Sequence, residues 1–119
     1  MSIDYIQRFW DALAYETERL LGQYGTSLLF GRLYRLSPEE TTILRARIRL
    51  PTLECEETHD LQTVHPACQL TRASEALTIH FHNLSSSLIG EGLTSKLLYA
   101  AMVTANRGFE HSFGSKTDD

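Results

Sequence analysis

A chain of 119 residues with 42% hydrophobic and 22% charged side chains has the make-up of one globular domain, which excludes disorder, collagen-like structure and coiled coil. Its net charge of −4 argues against nucleic-acid binding, which calls for a basic footprint to displace the counterions of phosphates. No apolar run approaches the roughly 18 to 20 residues that cross a bilayer, and Met-Ser-Ile-Asp-Tyr lacks the regions of a signal peptide, so no membrane partner and a cytoplasmic location are expected.

The first element is a helix over Ile3 to Tyr24. Ile6, Phe9, Trp10, Leu13, Leu20, Leu21 and Tyr24 recur at the spacing of one helical face, Ser2 or Asp4 can cap the start, and Gly25 can end it. The stretch "TSLLFGRLYRL" repeats the pattern with Leu28, Leu29, Leu33 and Leu36 and predicts a short second helix in spite of Gly31. Next, "SPEETTILRARIRLP" carries a helix start: Ser37 as N-cap, Pro38 at the first helical position and Glu40 to close a capping box. Near Arg45 the period changes, because Ala46, Ile48 and Leu50 alternate with Arg45, Arg47 and Arg49. Helix can hand over to strand there.

Residues Thr52 to Pro66 carry Glu54, Glu56, Glu57 and Asp60 and read as a long exposed connection. At the far end, Leu93, Leu97, Leu98, Ala101 and Ala105 form the stripe of a last helix that Gly108 stops, and Ser112 to Asp119 read as a polar tail. One domain over residues 1–111 with a tail over 112–119 is the expected organisation.

Between them, "CQLTRASEALTIHFHNLSSSLIGEG" allows two conformations. As a strand within a hairpin over residues 67–83, Leu77, Ile79 and Phe81 would share one face, with His80 and His82 on the other. As a helix, Leu77, Phe81, Leu84 and Leu88 form an apolar stripe, and His82 stands about 130° from its centre among Thr78, Ser85, Ser86 and Ile89. The apolar run continues to Gly90, which is longer than a strand needs and favours the helix.

An exposed histidine among small side chains suits phosphoryl transfer between proteins, because its nitrogen must reach a partner's aspartyl phosphate. The stretch "HNLSSSLIGEG" resembles the histidine-containing phosphotransfer domains, a family of four-helix bundles of about this length. Their motif sets leucine, lysine, glycine and small residues after the histidine, and a glycine ten positions on turns into the next helix. Here His82 takes the phosphoacceptor place, Leu84 the core position, Ser86 the usual glycine and Gly92 the tenth position. Ser85 stands where lysine is customary, and Glu91 where the family is apolar. The later "TANRGF" is similar to the family's closing pattern. Counting from His80 sets Gly90 at the tenth position but puts His82 in the leucine's place. The resemblance spans roughly residues 78–108 and implies a phosphorelay intermediate whose partner is a receiver domain. That partner would bring the magnesium, so no cofactor is expected.

Cys55, His59, His65, Cys68, His80 and His82 are possible zinc ligands, but their spacing fits no established zinc pattern, and no metal site is expected. Arg45, Arg47 and Arg49, with Arg32 and Arg35, concentrate positive charge and could dock an acidic partner or simply form a solvated face. No nucleophile elbow, phosphate loop or dinucleotide turn occurs, so a stand-alone enzyme is not expected.

Together these readings give a mainly α, single-domain helical bundle, with an α+β fold carrying a small antiparallel sheet packed on helices as the alternative. They give a small regulatory or adaptor protein acting through protein contacts, with homodimerisation left open. The alternative is an α+β interaction or metal-binding module with no phosphotransfer role.

Overall fold

The N-terminal half is dominated by α1, Ile3–Leu36, capped where the Ser2 hydroxyl accepts a hydrogen bond from the Tyr5 backbone N–H at 3.1 Å. A computed structural model describes residues 2–53 and 66–114. The expected break at Gly25 lies instead at Gly22, whose φ of 82° and ψ of 172° fall in a region that side chains exclude. Gly25 stays helical, and the break shifts the phase of everything after it. Beyond it the core stripe is Leu29, Phe30, Leu33 and Tyr34, while Tyr24, Leu28 and Leu36, expected on the apolar face, are exposed. The buried hydroxyls of Thr17 and Thr26 donate to the carbonyls of Leu13 and Gly22, both at 2.7 Å, so neither is left unsatisfied.

The second helix, α2, covers Pro38–Arg45, as Pro38 predicts. The capping box does not form: Ser37 makes no side-chain cap bond, because its hydroxyl is turned toward α3. The predicted hand-over to a strand fails as well, since the residues after Arg45 form turns in which the Arg47 and Ile48 amides both donate to the Leu44 carbonyl. The alternation is real but serves another end. Ile48 and Leu50 enter the core while Arg47 and Arg49 face outward.

That segment is fastened to α1 by polar contacts. The Gln7 side chain donates to the Arg49 carbonyl and accepts from the Arg49 amide, each at 2.9 Å, and so mimics a strand partner. The Tyr34 hydroxyl donates to the Pro51 carbonyl at 2.6 Å. Burial pushes the Tyr34 hydroxyl far above its ordinary pKa, since an ionised phenolate there would lose its hydration.

Two longer helices complete the bundle: α3, Ala67–Ile89, and α4, Glu91–Gly114. Gly90, with φ of 96°, makes the turn between them, and Ser85 and Thr94 hydrogen-bond across it at 2.8 Å. The hairpin reading of residues 67–83 is thereby overturned, and no strand occurs among the described residues. Its attraction came from Leu77, Ile79 and Phe81, but Ile79 is 59% exposed and Phe81 fully buried, as helical phase requires. Gly108 does not stop α4, which runs on to Gly114; glycine inside a helix costs only about 1 kcal/mol and does not forbid it.

The core is an aromatic cluster shared by α1 and α3. Trp10 meets Phe9 edge-on at 5.3 Å and Phe30 at 6.5 Å, and Phe30 lies 5.6 Å from Phe81. The buried Trp10 indole N–H donates to Ser74 of α3 at 3.1 Å. From α4, Leu97, Ala101 and Ala105 are buried, and the two alanines suit the packing of α4 against α1. Leu93, expected on that stripe, is 42% exposed near the turn. No helix among the described residues is long and apolar enough to cross a membrane.

Candidate functional site

The core stripe of α3 consists of Leu70, Ser74, Leu77, Phe81 and Ser85. Because each residue advances the helix by about 100°, His80 and His82 leave Phe81 on opposite flanks. Both are half-buried. This differs from the expectation of an exposed His82, because the buried stripe runs through Ser74 and Ser85 rather than Leu84 and Leu88, which rotates the helix toward His82.

His80 faces the junction of α1 and α2. Its Nδ1 is hydrogen-bonded to the Ser37 hydroxyl, and Ser37 itself is only 1% exposed. The backbone makes this possible: Ser37 separates the two helices with φ of −133° and ψ of 61°, so its side chain leaves the helical path. Outside this bond the ring lines an open cleft of about 260 Å³ with Leu36, Asn83 and Leu84. If Ser37 accepts from Nδ1–H, the other nitrogen, Nε2, carries the lone pair and is nucleophilic.

His82 lies on the flank shared with Ser85, which faces α4. It makes no hydrogen bond with another described residue. The Ser85 hydroxyl is buried and held by Thr94, so it packs the α3–α4 interface. One turn beyond His82, the Ser86 hydroxyl oxygen is buried without a partner among the described residues. Gly92 is exposed within the first turn of α4. The glycine that turns the chain is Gly90, ten residues after His80, rather than Gly92, ten after His82.

Arg47 and Arg49 are exposed and Arg45 half-buried; they sit at the end of α2 and in the turns after it. Of the possible zinc ligands, Cys55, His59 and His65 fall outside the described residues. Among the described residues no three His, Cys, Asp or Glu side chains converge.

The partner of His80 is the feature that reading along the chain missed. Ser37 and His80 stand 43 positions apart, and Ser37 already had a local explanation as a cap. Nothing in one dimension distinguishes a serine that caps from one that reaches across the bundle. No family model, curated protein or solved structure matches this chain, so any functional reading rests on the site's own chemistry.

Proposed function

We propose that the protein is a small adaptor that works through protein contacts and carries a phosphoryl group on His80 as an intermediate in a relay. The observation that supports this is the Ser37 hydroxyl on His80 Nδ1 at the edge of an open cleft. A nucleophilic imidazole needs one nitrogen held and the other free, and Ser37 supplies the hold.

In the step proposed, the Nε2 lone pair attacks the phosphorus of an aspartyl phosphate on a partner. The N–P bond forms, the acyl O–P bond breaks, and the carboxylate leaves with the bonding electrons. The positive charge that develops on the ring is shared through Nδ1–H with the Ser37 oxygen. Asn83, exposed on the cleft wall, offers an amide donor to the phosphoryl oxygens. His82 is the other acceptor the sequence offers, but it makes no hydrogen bond with another described residue and so lacks the hold that Ser37 gives His80.

Labelling with radioactive phosphoramidate tests the reading. The natural protein is expected to take up one acid-labile, base-stable phosphoryl group, which His80→Gln abolishes and His82→Gln retains. Loss in His82→Gln with retention in His80→Gln would move the acceptor to the other flank. No labelling of the natural protein, either by phosphoramidate or by phosphorylated receiver domains, would end the relay reading altogether.

A further inference from the structure

Past the break at Gly22, α1 carries Tyr24, Leu28, Arg32 and Leu36 at successive intervals of four, so they form one ridge on its outer face. The three apolar members are 78%, 57% and 60% exposed. Such exposure in single residues is ordinary, but three apolar side chains along one ridge, interrupted only by Arg32, make a strip. The ridge ends at Leu36, which is also a wall of the His80 cleft together with Asn83 and Leu84 of α3.

Charge on this strip is of one sign. Arg32 and Arg35 are exposed, and neither forms an ion pair with another described residue, the pair observed being Arg19 with Glu16. The carboxylates nearest in sequence, Glu39 and Glu40, belong to the first turn of α2 beyond Pro38. Exposed guanidiniums beside an apolar ridge, with no ion pair to another described residue, select for carboxylates on whatever docks there. Arginine is also the cation best suited to an interface, being weakly hydrated and able to grip a carboxylate with two donors.

We infer that the ridge Tyr24–Leu28–Arg32–Leu36 is a docking surface for an acidic amphipathic segment of a partner protein, one apolar side chain of which seats in the cleft beside His80. The cleft volume suits a single leucine- or phenylalanine-sized anchor, the kind of contact that dominates helical-segment recognition. This deepens the adaptor reading by naming the partner's chemistry, but it does not depend on phosphorylation of either histidine.

The test is selection of a displayed random-peptide library on the full chain, followed by fluorescence anisotropy with the enriched peptides. They are expected to combine Asp or Glu with Leu or Phe at helical spacing. Binding should fall about tenfold or more in Arg32→Glu and in Leu28→Asp, both surface changes that leave the core intact, and should weaken with added salt. Enriched peptides without acidic bias, or binding untouched by either substitution, would overturn the inference. So would binding lost only in Arg47→Glu or Arg49→Glu, self-association through this ridge with no peptide bound, or preference for anionic lipid vesicles over every peptide. Failure here with intact labelling of His80 would remove the docking surface alone, and the reverse result would remove the relay alone.

Discussion

Truncating Phe81 and Ile79 separately tests the arrangement on which the site depends. Phe81 is fully buried with its ring 5.6 Å from that of Phe30, whereas Ile79, two residues earlier, is 59% exposed. Phe81→Ala removes a ring from a closed aromatic cluster held by three helical segments that cannot readily collapse into the gap, so a loss of about 3–5 kcal/mol is expected. At about 0.05–0.15 kcal/mol per residue, a domain of this size has roughly 6–18 kcal/mol to lose, so the variant forfeits a substantial share of its stability. Ile79→Ala vacates solvent and gains a little helix propensity, so its effect should stay within about 0.5 kcal/mol. Urea unfolding followed by far-UV circular dichroism and by the fluorescence of the buried Trp10 measures both variants. In an extended strand the two side chains would share a face and cost alike. A loss above about 1.5 kcal/mol in Ile79→Ala, comparable with that in Phe81→Ala, would therefore refute the helical phase and with it the separation of His80 from His82.

Two glycines in α1 should respond with opposite signs. A Cβ at either Gly22 or Gly31 would meet open space, but Gly22 has φ of +82° and Gly31 is helical. Gly22→Ala should therefore cost about 1–3 kcal/mol of backbone strain, while Gly31→Ala should stabilise by about 0.4–1 kcal/mol, both read from urea midpoints at constant slope. The buried Tyr34 predicts an alkaline limit. Its folded-state pKa is raised above the unfolded value near 10, so the native state holds a proton that the unfolded chain releases. This contribution is intact below about pH 10 and is lost as pH climbs above it, by up to about 1.4 kcal/mol per pH unit. Tyr34→Phe should flatten that alkaline loss in urea titrations. The same steepness in the variant would show that another group is responsible.

Helix existence was legible wherever an apolar stripe and its punctuation agreed. Ser2 caps α1, Pro38 opens α2, and the small-residue stripe through Ala101 and Ala105 marks α4. Punctuation misled in α1: Gly25 was read as the end of the first helix, but the break lies at Gly22, and Tyr24 and Leu28 beyond it face solvent. Alternation at Ala46 to Leu50 was a true signal of sidedness with the wrong element attached, because the turns after α2 bury Ile48 and Leu50 without a neighbouring strand.

The histidine segment divides along the same line. Residue order alone determined that the region around Leu77 and Phe81 would present one apolar face and would keep two histidines off it, since periodicity is a local property of the backbone. Which flank holds a hydrogen-bonded imidazole was decided only when α3 packed against the junction of α1 and α2, bringing Ser37 to His80 while Ser85 bonded Thr94. A hydroxyl has no preferred partner until packing sets its distance to one, so a serine's role at the N-terminus of a short helix or at a distant imidazole is settled by the assembled core and not by its neighbours in the chain.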